Sequence, residues 1–177
     1  MLPKSLIPKI VEETNRYASQ KLYAGFPGPK ARWKSVDLAD IFRFLSILIA
    51  LEIIRLRCKN DLWTEASPEV IKLPSVAHVM PMRRFMDIKH FFHLENTDLA
   101  VPRGSEEYDP LHKVRQVYGC LQLRCRNGWR MGTYASLDES MTNWEGRSHF
   151  KQYKLSKPIR WGYKFLCICD STTGYIK

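Results

Sequence analysis

The spacing of the apolar residues changes once along this chain, at about Gly132, and that change limits the folds open to it. Upstream, Ile7, Ile10, Val11, Thr14, Tyr17 and Ala18 recur at helical spacing, as do Phe85, Ile88 and Phe92 farther on. Downstream, Tyr134 to Met141 and Tyr163 to Cys169 read as strands. The expected class is α+β, with helices first and strands last.

Turn and capping residues divide the helical part. Gly25, Pro27, Gly28 and Pro29 interrupt the first pattern between Ala24 and Lys34. Ser35 is the expected N-cap of a helix from Val36 or Asp37 to about Arg57. Asp37 and Asp40 suit the positive end of its dipole, and Arg55 and Arg57 the negative end. A shorter helix is expected near Asp61 to Glu65, and Pro68, Pro74 and Pro81 bound an irregular stretch with room for one more turn. A helix over Met82 to Leu94 and a polar loop from Glu95 to Tyr108 follow. Asp109-Pro110 then signals a helix start, with Leu111, Val114, Tyr118, Leu121 and Cys125 on one face until Asn127-Gly128.

In the strand region, Phe165-Leu166-Cys167-Ile168-Cys169 is an apolar run of the kind covered on both faces. Asp170 to Gly174 has the composition of a turn, and Tyr175-Ile176 begins a third strand. A sheet of two strands and a stub is incomplete, so the chain reads as truncated. The expected divisions are an N-terminal helix and Gly/Pro linker over 1–35, a helical region over 36–131 and a strand region over 132–177.

Charge narrows the partners. Lys and Arg number 28 against 18 Asp and Glu, a net charge of +10, which favours a polyanion. Met1-Leu2-Pro3-Lys4 does not open a secretory signal. Phe42 to Leu56 is broken by Arg43, Ser46, Glu52 and Arg55, so it reads as a buried helix and not as a membrane span. Cys58, Cys120, Cys125, Cys167 and Cys169 form an odd set without Cys-x-x-Cys pairs, which points to reduced thiols and away from a zinc module.

The candidate chemistry is sparse. Asp138 and Glu139 are neighbours on a strand, so they point to opposite faces and do not chelate one ion together. Asp170 would approach Asp138 if the two strands paired antiparallel, but its turn context favours a hydrogen bond to the backbone ahead of Gly174. His90 and His93 share a helix face without a third ligand, so packing explains them better than zinc. Cys167 and Cys169 read as small buried residues. The basic segment is the stronger signal: Arg147, Lys151, Lys154, Lys157, Arg160 and Lys164 interleave with Trp144, His149, Phe150, Tyr153, Trp161 and Tyr163. Cations for phosphates and rings for stacking fit a nucleic acid. The plain alternative is a long hairpin with its rings packed and its lysines in water.

The order of these features resembles the piggyBac family of DNA transposases and the host proteins derived from them. Met82-Arg83-Arg84-Phe85 with Phe91-Phe92-His93-Leu94 carries the likeness, then Asp109 to Val114 and Ser136 to Met141. Gly146-Arg147 with Phe150, Lys157-Pro158, Gly162-Tyr163-Lys164, Cys169-Asp170-Ser171 and Gly174-Tyr175 complete it. The resemblance covers roughly residues 36 to 177.

It implies a helical dimerisation and DNA-binding region over 36–131, followed by the first strands of an RNase H-like catalytic domain. It also implies a nuclear protein that contacts the backbone of double-stranded DNA and forms a homodimer. In that family three aspartates hold two metal ions, usually magnesium, and drive strand cleavage and joining. Asp138 matches the first, and Asp170 matches a family turn residue. The other two aspartates, and the zinc domain that such proteins often carry, lie beyond Lys177 in the family. One carboxylate does not hold two cations, so this chain alone is expected neither to cut nor to join DNA. Three readings stay open: a transposase-derived polypeptide, a DNA-binding or dimerising module that lost catalysis, and a decayed element without a selected role.

Overall fold

The structure, a computed structural model, describes residues 3, 5–24, 33–54, 58–64, 75–144 and 146–176. Helix α1 (Leu6–Tyr23) buries Leu6, Ile7, Ile10, Glu13, Thr14 and Ala18, while Val11 and Tyr17 of the expected stripe are half-buried. Helix α2 (Leu38–Ile53) turns Ile41, Phe44 and Ile47 inward, and α3 (Met82–Phe91) turns in Phe85, Ile88 and Phe91. Of these, Leu6, Ile7, Ile10, Ile41, Phe44, Ile47, Phe85 and Ile88 join Val36, Leu62 and Met80 in one core. Each fully buried Ile or Phe contributes roughly 1.5–3 kcal/mol.

Polar groups fix how the helices meet. Thr14 is fully buried in α1, donating to the His93 carbonyl and accepting from the His93 amide. Asn15 holds an extended Val36 from both sides: its Nδ2 donates to the Val36 carbonyl at 2.9 Å, and its Oδ1 accepts from the Val36 amide at 2.8 Å. That pairing moves the start of α2. Ser35 is not the N-cap; Asp37 is, its Oδ1 accepting from the Asp40 amide at 2.7 Å. Helix α2 ends at Ile53 and not near Arg57; Arg55 and Arg57 lie outside the described residues, as do Gly25 to Pro29 and Pro68 to Pro74.

Two further expectations shift. The short helix near Asp61 is a 3-10 turn, Lys59–Trp63, and another, Val76–His78, precedes Pro81. Asp109 does cap, accepting from the Leu111 amide at 2.9 Å, but turns occupy the next residues and helix α4 runs Arg115–Gly128. Arg115 folds back onto both Asp109 oxygens, at 2.8 and 2.5 Å, which closes that turn and delays the helix. The chain divides into two compact units, Leu2–Tyr118 and Gly119–Lys177, and the division falls within α4.

The second unit holds an antiparallel sheet of β1 (Ala135–Asn143), β2 (Lys151–Tyr153) and β3 (Trp161–Asp170), in the order β1-β3-β2. Strand β2 has no counterpart in the periodicity, because three residues are too few to show one. The β1–β3 register runs from Ala135 opposite Asp170 to Asn143 opposite Gly162. Gly162 is required: a Cβ there would overlap the Thr142 carbonyl oxygen. The expected third strand at Tyr175-Ile176 is a single bridge, Cys169 to Ile176. Strand β3 is also not covered on both faces in this chain, since Phe165, Leu166 and Ile168 are all exposed.

Candidate nucleic-acid interface

The strand register decides which side chains share a face. Asp138 lies opposite Cys167, and side chains directly across an antiparallel pair point the same way. With the period of two, Ser136, Asp138, Ser140 and Thr142 therefore share a face with Trp161, Tyr163, Phe165, Cys167 and Cys169. Pairing of Lys151 with Tyr163 and of Tyr153 with Trp161 adds two β2 side chains to that face. Asp170 stands three positions beyond Cys167, an odd step, so it faces the other way.

Asp138 is exposed and keeps two neighbours. Its Oδ1 accepts from the Glu139 amide at 2.7 Å, and Lys157 Nζ lies 3.5 Å away. The amide bond first, and the ammonium after it, hold the carboxyl below the usual carboxylate range. Lys157 also donates to the Glu139 carbonyl at 2.8 Å, which anchors the loop after β2 to the middle of β1. Glu139 turns to the opposite face, where Lys164 donates to it at 2.9 Å and lowers its pKa.

Asp170 is a structural aspartate. Its Oδ1 accepts from the Thr172 and Thr173 amides at 2.9 and 3.0 Å, and its Oδ2 from the Gly132 amide at 2.7 Å. Trp129 Nε1 also reaches Oδ2, at 3.4 Å. The Gly132 and Thr173 amides are the largest causes of a strongly lowered pKa. The turn reading covers Thr172 and Thr173, but the donors at Trp129 and Gly132 have no local sequence signal.

The remaining candidates separate. Lys164 and Lys157 are engaged with Glu139, whereas Arg147 and Arg160 are exposed. Lys154 donates its backbone amide to the Arg160 carbonyl at 2.8 Å, so these two cationic residues flank the end of the β2–β3 hairpin. Lys151 Nζ sits 5.3 Å from the Trp161 ring centroid. His93 stacks on Tyr17 at 3.8 Å and His90 meets Phe91 edge-on at 4.7 Å, so both serve ring packing. Burial is the main cause that lowers the pKa of His93.

A magnesium ion needs several well-placed oxygens, some of them water. On its face Asp138 meets a thiol across the ladder and an ammonium beside it. Among the described residues no group of three or more His, Cys, Asp or Glu side chains is placed to hold a metal. The described residues therefore do not make a two-cation site by themselves. Among them, too, no helix is long and apolar enough to cross a membrane.

Known proteins resemble this chain. The family model described as Transposase IS4 matches residues 1–177. Human PiggyBac transposable element-derived protein 3 is 29% identical over 176 residues, covering 99% of this chain and 27% of its own length. The human chimeric ERCC6-PGBD3 protein is also 29% identical over 176 residues, or 15% of its length. The cryo-EM structure of a piggyBac transposase synaptic complex with hairpin DNA shares the fold, with a TM-score of 0.74 at 24% identity. That match covers 99% of this chain and 35% of the other. The chain thus spans about a quarter or less of the length of these curated relatives.

Proposed function

We propose, for a chain that belongs to the piggyBac-type transposase IS4 family, that its strand unit binds the sugar-phosphate backbone of double-stranded DNA. The observation that carries this reading is the cationic end of the β2–β3 hairpin, where Lys154 and Arg160 lie opposite one another and Arg147 is exposed. Exposed cations gain from phosphates by releasing condensed counterions. Lys157 and Lys164, already held by β1, join them more weakly. The similar solved structure is a synaptic complex with hairpin DNA, which supports a DNA partner. Charge reversal at Lys154 and Arg160 together is expected to weaken duplex binding at least about tenfold. Unchanged affinity in a fluorescence-anisotropy titration would remove the reading.

The ancestral activity of the reading is metal-dependent DNA strand cleavage and joining on an RNase H-like fold, with Asp138 in the place of the first metal-binding aspartate. The paired β1 and β3 positions on the Asp138 face carry no second carboxylate, and one carboxylate does not hold two cations, so in this reading the 177 residues by themselves neither cut nor join DNA. Magnesium-dependent nicking that vanishes in Asp138→Asn would contradict this. The reading also takes the helical region over 36–131 as a dimerising and DNA-binding region, and the protein as nuclear. Monomeric mass by light scattering, or exclusion of a tagged chain from nuclei, would count against those two parts respectively.

A further inference from the structure

Strand β1 is an edge of its sheet, since the order β1-β3-β2 pairs it on one side alone. The Ser171 amide donates to the Tyr134 carbonyl at 3.1 Å, one rung beyond the pair of Ala135 and Asp170. In an antiparallel ladder, pairs that exchange hydrogen bonds alternate with pairs that do not. The even-numbered residues of β1 therefore turn their backbone groups to β3. Ala135, Leu137, Glu139, Met141 and Asn143 turn theirs to the open edge. Glu139 lies at the midpoint of these, and both of its groups are taken. Its amide donates to Asp138 Oδ1 at 2.7 Å, and its carbonyl accepts from Lys157 Nζ at 2.8 Å. That Nζ lies 3.5 Å from the same Asp138 oxygen.

The loop holds Lys157 in that place. The Lys154 amide closes the loop on the Arg160 carbonyl at 2.8 Å, and the Lys157 amide reaches the Lys154 carbonyl at 3.4 Å. Neighbouring strands of a sheet lie about 4.8 Å apart. An ammonium 2.8 Å from the Glu139 oxygen stands where the backbone of an added strand would run. To either side of Glu139 the edge offers only two outward residues, which is short for a strand pair. A charged side chain at a strand edge, lysine above all, blunts edge-to-edge pairing. We propose that Lys157 and Asp138 form a plug on the open edge of β1, and that the plug keeps a second copy of this chain from joining there.

A second copy supplies the strand that this edge fits. Turned about a two-fold axis through Glu139, β1 lies antiparallel to itself with all nine residues paired. Leu137 then falls opposite Met141 across the axis, on the face where Leu137, Leu166 and Ile168 are exposed. Glu139 meets its own counterpart, and Lys164 at 2.9 Å offsets each carboxylate. With the plug in place none of this pairing forms. The inference does not depend on DNA binding.

The test uses the full 177-residue chain. Lys157→Met keeps the stem and removes the ammonium. It should double the mass found by light scattering, whatever the state of the wild type. It should also slow exchange of the Leu137 and Met141 amides at least about tenfold as protein concentration rises. Lys157→Arg keeps a cationic donor and should behave as the wild type, in which these amides exchange at a rate independent of concentration. Met141→Pro removes one outward amide, so adding it to Lys157→Met should return the wild-type mass. Lys157→Gln, shorter and uncharged, replaces Lys157→Met in the same comparison if that variant fails to fold. Unchanged mass and exchange on loss of the ammonium overturns the inference. Association that survives Met141→Pro arises elsewhere and overturns it too. Slow, concentration-dependent exchange of the same amides in the wild type shows an edge already joined, which is the third contrary result.

Discussion

Single side chains in this molecule act mainly as acceptors or donors for several backbone segments at once. Arg84 donates to the Lys34 carbonyl at 2.6 Å, to the Ser35 carbonyl at 3.2 Å and to the Asp40 carboxylate at 2.6 Å. Arg84→Met would keep the stem and leave those acceptors short of a donor, at a cost of about 2–3 kcal/mol. A lower urea midpoint with an unchanged slope is the expected result. Asp170 makes the corresponding link in the strand unit. Its pKa is lowered in the fold, so it binds fewer protons folded than unfolded, and its contribution is complete above the ordinary Asp pKa of about 4. That contribution fades as pH falls below about 4 towards the folded value. Asp170→Asn puts an amide NH₂ among N–H donors, so it should lower the melting temperature at pH 7 and flatten the acid dependence. Thermal melts at about pH 7 and about pH 3, followed by near-UV circular dichroism, would check both effects. The turn at Asp170 was legible from Ser, Thr and Gly around it. Its bonds to Trp129 and Gly132 were not, since they join segments that meet only through the ladder.

At the scale of elements, two glycines separate need from tolerance. Gly162 sits where a Cβ would meet Thr142 backbone, so Gly162→Ala must part β1 from β3 and should cost about 1–3 kcal/mol or more. Faster amide exchange at both strands is the expected sign. Gly119, inside α4, has open space around its missing Cβ, and Gly119→Ala should stabilise by about 0.5–1 kcal/mol. Elements were legible in the sequence where many apolar residues repeat, as along α1 and α3. Starts governed by one distant partner were not. Asn15 holding Val36 moved the start of α2, and Arg115 returning to Asp109 moved that of α4. The cover over Phe165 to Ile168 was also misjudged, because an apolar run reports what a strand can bury and not what lies over it in this chain.

For the whole molecule, charge and register decide what can bind and where. The +10 net charge was plain from composition, and so was the clustering of cations after Glu145. Which of them β1 holds was not, because Lys164 reaches Glu139 through the β1–β3 register and Lys157 through the folded loop after β2. If Arg147, Lys151, Lys154 and Arg160 each meet one phosphate, duplex affinity should fall with salt at a log–log slope of about −3.6. A titration across salt concentrations measures it, and a slope near zero would exclude phosphate contacts. The ladder itself has a consequence in time. The rung at Asn143 and Gly162 closes the shortest loop between β1 and β3, and the rung at Ala135 and Asp170 the longest. Closure entropy grows with loop length, so pairing should start beside Gly162 and zip towards Asp170. Asp138 would then take its place in the ladder midway through folding, before the Asp170 carboxylate fastens the far end.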